Sequence, residues 1–176
     1  SSAVYGMSGK KGIPISEEQS LPGPLSFYAD QKRSAEEALR IFHRTHGLEV
    51  VNFRFFNVYG PGQDPTSPYS GVISIFTNRL RGSQSITLNA SGEPTRDFVS
   101  VHDVAGALAQ ALTLPGESCT GEPMNLGTGQ AISILELADK MMKTLGKRSE
   151  CVMAPPRDGD VPHSCAAIKR AEAVLG

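Results

Sequence analysis

Residues 26–62, SFYADQKRSAEEALRIFHRTHGLEVVNFRFFNVYGPG, decide the fold. Ser26 is a natural helix N-cap, the apolar residues Ala35, Ala38, Leu39 and Phe42 recur at intervals of three and four, and Gly47 supplies a stop, so the spacing predicts a helix between Ser26 and Gly47. Glu49 to Asn57, EVVNFRFFN, is dense in β-branched and aromatic residues and predicts a strand closed by the turn Gly60, Pro61, Gly62. Upstream, Ala3, Val4 and Tyr5 read as the end of a buried strand. Strand end, helix, strand is half of an α/β unit.

Working outward, 7–24 is rich in Gly, Pro, Ser and Lys and reads as loop, as does 63–71. Val72 to Leu80 predicts a helix, and ITLNASGEPTRDFVSV (86–101) two short strands around a turn from Ser91 to Pro94. Alanine-rich Val104 to Leu114 predicts a helix ended by Pro115 and Gly116, and Met124 to Leu126 a short strand. Ser133 followed by Glu136 forms a capping box for a helix to about Leu145, with Gly146 at its end. The segment 154–162 reads as loop and Ala166 to Leu175 as a last helix.

The bulk numbers exclude several classes. At 176 residues the chain suffices for one domain, or one and a fraction. Its 17 basic and 18 acidic residues nearly cancel, without a run of five like charges, which argues against a nucleic-acid tail or a polybasic membrane patch and favours small-molecule partners. Cys119, Cys151 and Cys165 are far apart and lack CxxC spacing, and His43, His46 and His163 have no partner at metal-ligand spacing, so no metal is assigned and a reducing compartment is expected. No stretch approaches a membrane span and no signal peptide is visible, so the expectation is a soluble cytoplasmic protein.

Tyr28 and Lys32 stand four apart, on one side of the predicted helix. A phenol needs about 4 kcal/mol of differential stabilisation to bring its pKa from about 10 to about 7. One cation about 4 Å away at an effective dielectric of about 20 supplies roughly that much, which would make Tyr28 a general base at neutral pH. A solvated Tyr and Lys on an outer face would present the same spacing.

The surrounding motifs carry more. SSAVYG (1–6), RFFNVYGPGQDP (54–65), TRDFVSVHDVA (95–105), MNLGTG (124–129) and PRDGDVPHS (156–164) follow in that order, and the sequence resembles the extended short-chain dehydrogenase/reductases, specifically the NAD-dependent epimerase/dehydratase family. The resemblance implies the C-terminal part of a doubly wound, Rossmann-like parallel sheet plus a small α/β substrate-binding domain. The expected boundaries are 1–62 and 63–176, with about 101–128 packing back on the Rossmann sheet. The family's opening strand, glycine-rich GxxGxxG turn and helix are expected to precede Ser1. A chain without them exposes a sheet edge and binds NAD poorly by itself.

For the site, the resemblance maps a catalytic set onto Ser1, Tyr28 and Lys32, with Tyr28, Lys32 and Phe55 against an NAD cofactor. Asn57, Arg96, Arg157 and Asp160 map onto substrate-diphosphate positions. Guanidinium forks suit that ligand. Without the resemblance, each arginine would be read as a surface ion pair with Asp97 or Asp158. Family dehydratases carry Asp-Glu directly after the catalytic hydroxyl, where this chain has Ser2 and Ala3. The resemblance therefore implies epimerisation of a nucleotide sugar, at C4 of a UDP-hexose. The alternatives are a non-catalytic nucleotide-sugar-binding remnant, or a reductase or dehydratase of the same family. Homodimers through the Tyr-x-x-x-Lys helix are a family habit. His102 and Asp103 are read as structural, Asp103 as an N-cap, and LGTGQAIS (126–133) as a tight turn.

Overall fold

The computed structural model describes residues 1–19, 21–67 and 71–176; Ser20, and positions 68–70 of the predicted 63–71 loop, lie outside the described residues. Helix α1 (Phe27–His46) starts where the Ser26 hydroxyl accepts from the Ala29 amide and ends at Gly47, whose left-handed φ of 65° lets its N–H donate to the His43 carbonyl. The apolar series that reveals this helix is not its buried side. Ala35, Ala38, Leu39 and Phe42 are exposed, and the residues buried on it are Ala29 and Glu36. An inward carboxylate is tolerable because Arg54 meets it, as described below.

Strand β1 (Val50–Phe55) pairs in parallel with β5 (Thr120–Leu126), the longer form of the predicted Met124–Leu126 strand. After Phe56 the chain leaves that pair and continues as β2 (Asn57–Tyr59), parallel to β4 (Thr95–Ser100). One strand signal in the sequence thus serves two sheets. β4 also pairs antiparallel with β6 (Ala131–Ser133) and parallel with β8 (His163–Ser164). β3 (Ile86–Asn89) and β7 (Cys151–Ala154) form a separate parallel pair. Over it lie α2 (Val72–Arg81) and α4 (Ile134–Leu145), where Phe76, Leu80, Ile86, Leu88 and Ala138 make one core. A second core joins Val99 and Leu126 to Val104 and Ala107 of α3 (Val101–Ala111), and a third gathers Val4, Tyr5, Ile15, Phe56 and Ala166.

Several expectations need correction. Ala3 to Tyr5 are not a strand end: Ser2–Ser8 wind as 3-10 turns, because the Ser1 hydroxyl accepts from the Ala3 amide and the Ser1 carbonyl from the Val4 amide. A short buried apolar run does not distinguish the two shapes. Asp103 is not the N-cap of α3. Ser100, still extended at the end of β4, accepts from the His102 amide and starts the helix earlier, leaving Asp103 in the first turn, where its charge suits the helix's positive end. The last helix, α5 (Lys169–Leu175), begins later than expected because Ala166 is drawn into a β-bridge with Ile15. The predicted strands of 86–101 both exist as β3 and β4, but each pairs elsewhere.

Candidate active site

An open cavity of about 570 Å³ lies between α1, β1 and the start of the chain, with Ser1, Tyr28, Lys32, Phe55 and Asn57 among its lining residues. The Lys32 ammonium stands 5.4 Å from the centre of the Tyr28 ring. Both residues are exposed, Tyr28 being 54% accessible. The Ser1 hydroxyl accepts from Ala3, and the Ser1 nitrogen lies 3.5 Å from the Phe53 carbonyl, which ties this end of the chain to β1. Phe53 and Phe55 stack with ring centres 6.0 Å apart. Beside them Asn52 lines the cavity with its Nδ2 buried and without a partner among the described residues. A buried donor left so is costly unless a ligand or water meets it.

Beneath this wall is a polar frame that sequence reasoning missed. Arg54 Nη2 and Nε donate to Glu36 at 2.7 and 3.1 Å, and Arg54 Nη1 donates to the Tyr5 hydroxyl at 2.9 Å. That hydroxyl donates on to Asn125 Oδ1 at 2.6 Å, and Asn125 Nδ2 donates to the Ile15 carbonyl at 2.7 Å. Burial alone lowers the Arg54 pKa, but its hydrogen bonds to Glu36 and Tyr5 more than offset this and raise it; burial pushes the Tyr5 phenol up against the opposing pull of Arg54. The frame links the turn after Ser1, helix α1 one turn beyond Lys32, and β1. No local signal announces it, since Tyr5 and Asn125 are far apart in the chain.

A second cavity, of about 330 Å³, is lined by Asn57, Arg96, Arg157 and Asp160, with Phe76, Asn89 and Ile134 among its other walls. Asn57 lines both cavities. Arg96 Nη1 donates to the carbonyls of Thr95 at 2.9 Å and Pro162 at 3.4 Å; burial lowers its pKa and the Asp160 carboxylate pulls it back up. Among the described residues no ion pair joins Arg96 or Arg157 to Asp97 or Asp158, so the surface-pair reading does not describe these arginines. Asp97, next to Arg96, is wholly buried. It accepts from the Thr128 amide and hydroxyl, the Gly129 amide and the Ala166 amide, and so locks the turn between β5 and β6.

Gly6, Gly9 and Gly12 fall at GxxGxxG spacing, but this segment opens no helix until Phe27. A Cβ on Gly9 would stand 1.8 Å from the His163 carbonyl, so chain packing accounts for that glycine. Among the described residues no group of three His, Cys, Asp or Glu could hold a metal, and no helix is long and apolar enough to cross a membrane.

Comparison with known proteins places the chain among relatives. A family model described as the NAD dependent epimerase/dehydratase family matches residues 1–127. The UDP-glucose 4-epimerase of Mycolicibacterium smegmatis is 34% identical over 174 residues, 99% of this chain and 53% of its own length. A UDP-N-acetylglucosamine 4-epimerase from Methanobrevibacter ruminantium, solved with UDP-N-acetylmuramic acid, superposes with a TM-score of 0.90 at 34% identity, over 100% of this chain and 55% of that one. The Thermus thermophilus UDP-glucose 4-epimerase in complex with NAD gives 0.84 at 34% identity, over 97% and 54%. The chain spans about half the length of the relatives it matches.

Proposed function

The chain belongs to the NAD dependent epimerase/dehydratase family, and from that premise we propose that it supplies the catalytic side chains and the substrate-diphosphate grip of an NAD-dependent nucleotide-sugar 4-epimerase acting on a UDP-hexose. The observation that carries this reading is Asn57, shared by the cavity of Ser1, Tyr28 and Lys32 and by the cavity of Arg96, Arg157 and Asp160. One ligand with a sugar at one end and a diphosphate further along can address both. The domain division in this reading is 1–62 with the cofactor and 63–176 with the nucleotide sugar, and the pairing of β5 with β1 supports 101–128 as a return to the first sheet.

Tyr28 is the general base that takes the proton of a sugar hydroxyl, with the Lys32 ammonium 5.4 Å from the centre of its ring. Ser1 donates a hydrogen bond to the reacting oxygen, and Lys32 would also hold the nicotinamide ribose of a bound NAD. Phe55, stacked on Phe53, and the orphaned Nδ2 of Asn52 suit a flat polar ring, so the residues present fit this cofactor. NAD, when bound, supplies the hydride acceptor and donor. Arg96 and Arg157 balance the diphosphate charge with Asn57 orienting it, and Asp160 tempers Arg96. The exposed Leu39, Ile41 and Phe42 of α1 support self-association through this helix.

Calorimetric titration of the chain with UDP-glucose, UDP and uridine is the first test: binding requires the diphosphate, and uridine alone is silent. The second places a glycine-rich dinucleotide-binding half ahead of Ser1 and assays interconversion of UDP-glucose and UDP-galactose or their N-acetyl forms. There Tyr28→Phe lowers kcat by about 10²–10⁴-fold with little change in binding. Failure to epimerise any nucleotide sugar overturns the reading, and net NADH or NADPH consumption replaces it with a reductase.

A further inference from the structure

Nothing local in the sequence marks Asn89 as a partner of Arg157. It closes the β3–β7 ladder, in register with Ala154, the last residue of β7. Three residues beyond Ala154, after Pro155 and Pro156, comes Arg157. Two consecutive prolines hold φ near about −65° and limit where that arginine can go. With the amide oriented by its hydrogen bonds, Asn89 Oδ1 accepts from Arg157 Nε at 3.0 Å and from Nη2 at 3.2 Å.

The backbone that presents Asn89 is unusual. Ala90, Ser91 and Gly92 follow with φ of 46°, 54° and 73°, two of them with side chains that disfavour this left-handed region. Packing holds the turn there: a Cβ on Gly92 would stand 2.9 Å from the Leu135 nitrogen at the start of α4. A strained segment held by its surroundings is characteristic of ligand clamps.

We propose that Asn89 is a positioning residue for the diphosphate grip, holding the exposed Arg157 guanidinium side-on so that its Nη1 end is presented to a nucleoside diphosphate in the cavity shared with Asn57 and Arg96. This rests on the functional reading above and adds the residue that pre-organises it. An untethered arginine loses rotamer freedom when it grips an anion; one already held loses less.

The test uses the ligand-free chain and the variants Asn89→Ala and Asn89→Asp. The first readout is proton exchange of the Arg157 Nε–H by nitrogen-15 NMR, assigned with Arg157→Lys; the second is calorimetric affinity for UDP, with circular dichroism checking the fold. Asn89→Ala is expected to quicken exchange and to weaken UDP about five-fold, the scale of one net hydrogen bond. Asn89→Asp keeps the acceptor, so the Nε–H stays protected while UDP weakens because a carboxylate now neutralises the guanidinium. Unchanged exchange in Asn89→Ala overturns the proposal, and so does unchanged UDP affinity once exchange has quickened. If the wild-type chain binds no UDP, the functional reading falls, while the exchange readout still decides the tether.

Discussion

Lys32 and Glu36 stand one helical turn apart on α1 and occupy opposite surroundings. Glu36 is 7% exposed and its carboxylate is spanned by the Arg54 guanidinium, whereas Lys32 is exposed beside a Tyr28 ring that is itself half open. The frame around Glu36 is built from side chains whose polar atoms are engaged with one another; the cavity wall above it keeps a buried Asn52 donor with no partner among the described residues. The contrast teaches that Tyr28 and Lys32, the side chains proposed to react, stay exposed where the frame beside them is buried. Their placement comes from the backbone elements that the frame clamps together, one turn below.

If so, breaking the frame must cost far more stability than removing the groups proposed to react. Arg54→Ala leaves the buried Glu36 carboxylate without its guanidinium partner, the Ser1 nitrogen being 4.0 Å away, and a loss of about 3–5 kcal/mol is expected in urea unfolding. A cost below about 1 kcal/mol would dissolve the distinction between the two regions. Tyr5→Phe removes the hydroxyl that accepts from Arg54 and donates to Asn125, and should cost about 1–3 kcal/mol. Because burial raises the Tyr5 pKa in the folded state, its contribution is complete below the unfolded value of about 10 and is lost as pH climbs through the higher folded value; Tyr5→Phe therefore flattens the alkaline limb of a stability–pH profile.

Smaller effects sharpen the comparison. Ser133→Ala removes the hydroxyl that accepts from the Glu136 amide at the start of α4, far from either region, and should cost about 1 kcal/mol in the same unfolding experiment. Lys32→Met and Tyr28→Phe should shift stability by no more than about 0.5 kcal/mol, as exposed groups do. A large stability loss from either would mean that they belong to the frame.

What could be read beforehand divides along the same line. The caps Ser26, Gly47, Ser133 and Gly146 act on amides and carbonyls within four residues, so each was visible as a local signal and each occupies its place. The gathering of Ser1, Tyr28, Lys32, Phe55 and Asn57 at one cavity was approached through motif order. Glu36, Arg54, Tyr5, Asn125 and Asn89 were silent because their partners lie 18 to 120 positions away, or across a strand register that only packing sets. The short strands β6 and β8 were silent for the same reason: two or three residues carry no periodicity, and β4 makes them strands by pairing with them.

The amino-acid order by itself determined that the helices form, the glycine stops of α1 and α4, the α/β character and the motif series that identifies the family, because these depend on neighbours along the chain; the end of α3, expected at Pro115 and Gly116, instead falls at Ala111. Tertiary structure alone decided which side of α1 turns inward, where one strand signal divides between two sheets, and which residues hold the arginines. Those outcomes depend on giving polar groups partners, a charge for Glu36, carbonyl and amide oxygens for Arg96 and Arg157, and strand edges for β1 and β2, and such a meeting exists only once distant segments have come together.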